Sequence, residues 1–235
     1  MGINYFMING VSSLDFGIVI SKGNVYNAPA RKYEVVEVPG RNGSVIFDEG
    51  YYENVEVSYE CQVLDKNHNL DGFRSWLQSN IGYVKIEDTY HHKEYRMGRV
   101  SEALTMDVER MKIGTFVVKF DCKPQRYLKD GEIGVDYTGN TIVFNPTYYE
   151  SKPLIRVYGS GILGIGNDTI TIASHSLPYI DIDCEIADAY YEDQNANSYI
   201  TLTGDDYPTI GPGTTGITLG TGITQITLFP RWWTL

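Results

Sequence analysis

The chain has 235 residues, 42% of them apolar, and a formal net charge of −11, a composition that supports a folded globular protein and excludes an intrinsically disordered one. The acidity is uneven: residues 1–130 hold 16 Lys and Arg against 18 Asp and Glu, a net of −2, whereas residues 131–235 hold 3 against 12, a net of −9. Such a surface repels nucleic-acid phosphates, which excludes a DNA reader, and no apolar run approaches the about 20 residues of a membrane-spanning helix.

In chain order, the N-terminus carries no Lys or Arg before Lys22, and Asn9, Ser12, Ser13 and Asp15 break any apolar leader, so no secretory signal is expected. Phe6 stands where a myristoylation site needs Ser or Thr. Strands are expected over residues 5–9, 31–38 and 51–63. The stretch VPGRNGSVIFDEGYYENVEVSYECQV opens on Pro39-Gly40 and Asn42-Gly43, both strong turn signals. It closes on Val55, Val57, Tyr59, Cys61 and Val63 alternating with Glu56, Ser58, Glu60 and Gln62, a period of two with one buried and one wet face. A hairpin over residues 40–54 is expected between these strands.

One helix follows, capped by Asn67 or Asn69, with Leu70, Phe73 and Leu77 in a stripe flanked by Trp76; such a stripe is core. Gly82 ends it, and strands are expected over residues 83–86, 96–100, 106–110 and 113–122, the last stopped by Lys123-Pro124. A turn-rich break, Lys129-Asp130-Gly131 and Tyr137-Thr138-Gly139-Asn140, divides the chain into an N-terminal α+β domain of residues 1–130 and a second domain of residues 131–235. The second shows short strands only, over residues 154–158, 169–173, 179–187, 198–202, 216–219 and 225–229, with glycine-rich joints at 159–166, 204 and 211–213. That spacing predicts an antiparallel sandwich or jelly roll. The fold class is therefore mainly β. Cys61, Cys122 and Cys184 are odd in number, distant in sequence and strand-like in context, which predicts buried thiols from a reducing compartment, with no Cys-x-x-Cys for zinc.

The order of these strings resembles the distal tail protein (Dit) family of bacteriophages with long non-contractile tails and of related prophages. YFMINGVSSLDFGIVI resembles the family's opening strand, and VPGRNGSVIFDEGYYENVEVSYECQV its Gly-Arg-x-Gly hairpin and following strand. The helix at Phe73-Arg74-Ser75-Trp76-Leu77 and the strand end FDCKPQRY follow in family order. SKPLIRVYGSG, YIDIDCEIADAY and YPTIGPGTTGITL are similar to its galectin-like C-terminal domain, although Thr214 and Thr215 stand where many members have an Asn. The resemblance implies an N-terminal sandwich or split barrel with one helix and a hairpin, followed by a galectin-like jelly roll. It also implies a virion structural role: a homohexameric ring at the tail tip, made in the cytoplasm of the bacterial host. That ring joins the tail tube protein to a tail-associated hub protein and a receptor-binding protein. On the same resemblance, viral DNA is expected to pass through the channel without sequence-specific binding. The chain is too short for the inserted carbohydrate-binding module of long members.

For inter-subunit contact the candidates are Gly40, Arg41, Gly43, Phe47, Tyr51, Tyr52 and Asn54, because an exposed hairpin docks readily onto a neighbouring sheet edge. Trp232 and Trp233 are candidates for a sugar or partner contact, which keeps carbohydrate binding through residues 131–235 as the alternative function. Asp181 and Asp183, two apart on a strand, present both carboxylates on one face. With Glu185 they match an acid/base pair or a Ca²⁺ corner, but the alternation with Ile180, Ile182 and Cys184 reads as a solvated strand face. Adjacent His91 and His92 point opposite ways on a strand, and His68 and His175 lack ligand-spaced partners, so they read as surface histidines and no metal is expected. The Gly161–Gly166 run precedes no helix and reads as a sheet connection, not a phosphate loop. Neither Gly-x-Ser-x-Gly nor a nucleophile signature around a Cys occurs, so neither enzyme activity nor a cofactor is expected.

Overall fold

The computed structural model describes residues 2–22, 27–64, 69–102, 115–204 and 206–235. They form two compact units, Met1–Arg126 with Leu235, and Tyr127–Thr234. Asn67, His68, the strand expected over residues 106–110 and the first two residues of the strand expected over 113–122 lie outside the described residues.

In the first unit, β1 (Phe6–Ile8) turns into β2 (Val11–Ser12) through Asn9 (φ 49°) and Gly10 (φ 82°). Positive φ at both central residues is the turn whose twist matches a two-residue hairpin. Ser12 then caps a 3₁₀ turn at Ser13–Phe16, and Asp15 accepts from the Ser12 backbone N–H at 3.2 Å, closing a capping box. The chain continues through β3 (Ile18–Lys22), β4 (Arg31–Glu37), β5 (Ser44–Tyr52), β6 (Val55–Val63), α1 (Leu70–Ser79), β7 (Val84–Asp88), β8 (Glu94–Val100) and β9 (Thr115–Leu128), within which the unit boundary falls. The strands of the main sheet lie in the order β2-β1-β7-β8-β9-β6-β3. Among the described residues, β4 and β5 pair only with each other.

Asn69 caps α1, its side-chain oxygen accepting from Gly72 N–H at 2.8 Å. The helix drives Phe73 and Leu77 into the sheet, where Phe73 meets Phe6, Phe16 and Phe116 edge-on, while Trp76 stacks on Phe16 with ring centres 4.9 Å apart. The stripe expected to be core is core. Gly98 has its own reason: a Cβ there would run into the Cys122 Sγ, 2.6 Å away, so only glycine lets β8 and β9 approach.

The second unit is a two-sheet sandwich. One sheet runs β10 (Val135–Tyr137), β20 (Ile223–Phe229), β12 (Leu154–Gly159), β15 (Ile180–Asp183), β16 (Asp188–Tyr191), β17 (Gln194–Asn195). The other runs β11 (Thr141–Asn145), β19 (Gly213–Leu219), β13 (Gly161–Ile165), β14 (Asp168–Ile172), β18 (Ile200–Leu202). Ile155, Val157, Ile180, Ile182, Ile226 and Leu228 of the first sheet share a core with Val143, Leu163, Ile165, Ile170, Ile172 and Ile217 of the second.

Two expectations change here. The glycine-rich Gly161–Ile165 is not a connection but a strand inside the five-stranded sheet, with Leu163 and Ile165 buried. Gly164 is required because Thr218 of the adjacent strand occupies the space a side chain would need. Residues 179–187 are not one strand. β15 ends at Asp183, the chain turns with Ala187 at φ 54°, and β16 returns with Asp188 opposite Asp183.

All three thiols are buried, and burial pushes each up to about 12. Native protein incubated with iodoacetamide at pH 8 is therefore expected to gain no adduct by intact mass, and all three sites are expected to react after unfolding in guanidinium. Modification of the native protein would contradict this burial.

Candidate assembly surface

The hairpin of β4 and β5 is the part of the first unit that its own core does not explain. Its tip is a four-residue turn, Val38-Pro39-Gly40-Arg41, closed by Arg41 N–H donating to Val38 C=O at 3.1 Å. Pro39 presets the second position, and Gly40, at φ 80°, supplies the positive φ that the third position of a type II turn demands. Gly43, also at φ 80°, returns the chain into β5. The hairpin is thus longer than, and displaced from, the expected residues 40–54, with Arg31–Glu37 as its first arm and Ser44–Tyr52 as its second.

Its base is tied down by polar contacts. Arg31 Nε donates to both Asp48 carboxylate oxygens at 2.9 and 2.8 Å, and its guanidinium lies over the Tyr52 ring. The Arg31 hydrogen bonds hold the Asp48 carboxyl below its ordinary value. Lys32 meets Glu53 at 3.1 Å, and Asn54 donates to Tyr83 Oη at 2.7 Å and to Asp121 at 3.0 Å. Asn54 is therefore an anchor between the arm's root and the sheet.

Beyond the root the arm is apolar on both faces. Cross-strand partners share a face, so Val35 with Ile46 and Tyr33 with Asp48 lie on one side, and Val36 with Val45 and Phe47 with Glu34 on the other. Val35 is 59% exposed, Ile46 61% and Phe47 55%. Sequence reasoning named Phe47, Tyr51 and Tyr52; the arm also exposes Tyr33, Val35, Val36 and Ile46. The signal was present: Val35-Val36 and Val45-Ile46-Phe47 are consecutive apolar residues within strands, and a period of two sends neighbours to opposite faces.

The other candidates lie elsewhere. Trp232 is 7% exposed and belongs to the core of the second unit, so it forms no open aromatic platform with Trp233. Trp233 stacks on Tyr149 with ring centres 4.5 Å apart and donates its indole N–H to Glu150 C=O at 2.8 Å.

Asp181 and Asp183 are on one face, as the strand period requires, but that face is not solvated, each being 5% exposed. Arg156, opposite Asp181 in the β12–β15 register, grips it with two 2.8 Å bonds and lies over the Tyr179 ring. Arg231, at φ 54°, grips Asp183 at 2.6 and 2.8 Å. Burial works to raise the Asp183 carboxyl, but the Arg231 fork and the Glu185 and Ile186 backbone donors outweigh it and hold the group below its ordinary value. A carboxylate kept ionised and saturated by a guanidinium is a poor general acid.

His91 is not a free surface group, because its Nδ1 lies 3.2 Å from Asp88. His175 bonds Gly159 C=O through Nε2 at 3.1 Å.

No protein-family model and no curated protein sequence matches the chain. Solved structures do. The chain is similar to the Dit protein of phage SPP1, described as a paradigm of the hub adsorption apparatus in phages that infect Gram-positive bacteria, with a TM-score of 0.75 and 15% identity over 100% of both chains. It is also similar to a chain of the phage p2 baseplate in its activated conformation, with a TM-score of 0.50 and 10% identity over 97% of this chain and 98% of that one. The likeness is one of fold, and it runs through both units: the chain has the Dit fold.

Proposed function

We propose that this protein is a structural component of a phage tail tip, a hexameric ring that joins the tail tube to the hub and to the receptor-binding protein. The observation that carries this reading is the β4–β5 arm, whose Val35, Ile46 and Phe47 are exposed on two faces and covered by nothing among the described residues. A contiguous apolar surface of this kind marks a protein contact, and a Dit fold supplies the setting. A second copy of the chain is the occupant proposed, because an arm that docks on the next protomer makes a head-to-tail contact, which yields a ring where the rotation between protomers closes. The N-terminal unit is the ring former in this reading. Residues 1–130, the ring former in this reading, hold 16 Lys and Arg against 18 Asp and Glu, so they offer no cationic excess to hold passing viral DNA. Tail tube protein and hub protein would stack on the two ring faces, and the virion tail is the resulting location.

The role is architectural and not catalytic. The two carboxylates best placed for acid/base work, Asp181 and Asp183, are consumed by Arg156 and Arg231. Carbohydrate binding by the second unit gains no support from Trp232, which is core.

Mass photometry of the purified protein, with sedimentation velocity at micromolar concentration, is expected to show six times the protomer mass of 26.5 kDa, and negative-stain images an annulus with a central hole. A monomer throughout the concentration series would overturn the ring.

A further inference from the structure

We propose that the first unit binds a small inorganic oxyanion of the phosphate or sulfate class in a cavity headed by Arg96. Arg96 sits opposite Ile86 in the β7–β8 register, so it occupies the sheet face that Ile86, Tyr59 and Cys122 otherwise make a core. A guanidinium at a core-face position must find an anion or carry the cost of desolvation. Arg96 has no ion-pair partner among the described residues, and its Nη1 is buried with no hydrogen-bond acceptor.

The nearby acids are already committed. Asp88 accepts from Tyr59 Oη–H at 2.7 Å, from Tyr90 N–H at 2.8 Å and from His91 N–H at 2.7 Å. Glu94 pairs with Arg126 at 3.0 Å. The wall thus holds two guanidiniums and two carboxylates, and Arg96 is the guanidinium that no carboxylate contacts among the described residues. Burial lowers the affinity of Arg96 for its proton, which is the signature of a cation short of solvent or a counter-ion.

These side chains surround a cavity of about 40 Å³, lined also by Tyr95 and Ser58. That is more room than a single water takes, and it suits a tetrahedral oxyanion. The planar fork of arginine matches two oxygens of such an ion, whereas a halide would satisfy only one donor direction.

The test is calorimetric titration of inorganic phosphate, then of sulfate, into the protein held in chloride buffer of matched ionic strength. One saturable site per protomer is expected, and a melting temperature that rises with ligand concentration as a bound-state equilibrium requires. Arg96→Gln is expected to weaken binding at least tenfold and to leave only the small non-saturating rise that excluded salts give any protein. Arg96→Lys, which keeps the charge but loses the fork, is expected to fall between the two and serves if the Gln variant does not fold. Absence of saturable heat from the unaltered protein overturns the proposal, and so does phosphate binding of undiminished affinity in both variants. Binding of acetate in preference to phosphate also overturns it, by showing a pocket built for a carboxylate side chain.

Discussion

Changing Ile46 and Phe47 together to Asp is expected to give a protein that folds normally and no longer assembles. Both side chains are more than half exposed, on opposite faces of the arm, and touch neither buried core. The folded monomer therefore loses little, about 0.5 kcal/mol for surface positions, with a strand-propensity penalty confined to the arm. At an interface the balance reverses. Buried apolar anchors contribute about 2 kcal/mol each or more, and a carboxylate in their place adds an unpaired charge. Two such losses amount to about 4 kcal/mol per contact, about a thousandfold in affinity. Sedimentation velocity then shows a monomer where the unaltered chain shows a larger species, with circular dichroism and melting temperature preserved. The single variants separate the faces. Ile46→Asp reports on the side shared with Val35, and Phe47→Asp on the side shared with Val36 and Val45. If the double variant retains the mass of the unaltered protein, the arm is not the assembly surface.

Arg231→Met is expected to destabilise the second unit by about 3–5 kcal/mol, because it leaves the Asp183 carboxylate buried without its guanidinium. Asp183→Leu added to Arg231→Met is expected to recover most of that loss, since removing both charges also removes both desolvation costs. Denaturant unfolding followed by tryptophan fluorescence checks this, because Trp232 reports on the second core. Replacing Trp76 by Phe silences the indole of the first unit. The pH dependence has a definite sign. The folded Asp183 carboxyl lies below its unfolded value, so the pair's contribution is fully present above about 3.9 and is lost as pH falls through the lower folded value. The gap between unaltered and Arg231→Met protein should therefore be widest near neutrality and close in acid. A gap independent of pH would mean that Arg231 acts through packing alone.

Much of the fold was legible because its signals are local. Pro39-Gly40 demands a turn whatever surrounds it, and Leu70, Phe73 and Leu77 can share one side only on a helix. The alternation from Val55 to Val63 was likewise enough to place a half-buried strand. The strand Gly161–Ile165 was not legible, since glycine in a strand is permitted only by what the neighbouring strand puts against it, here Thr218. The arm was half legible: its tip is turn chemistry, but the apolar character of both its faces required the register of β4 against β5.

By itself, then, the amino-acid order determined two β-built units, one helix, the hairpin tip and the segregation of acidic charge, all of which depend on spacing between near neighbours. Tertiary structure alone decided the electrostatics. Asp183 meets Arg231 across 48 positions of sequence, and Asp181 meets Arg156 across 25, so a face that alternation marks as wet is in fact closed. Arg96, one polar residue among many in the sequence, becomes a half-buried cation with one buried guanidinium nitrogen only when β7, β8 and β9 come side by side. Charges act through space, and only the folded chain sets the distance between them.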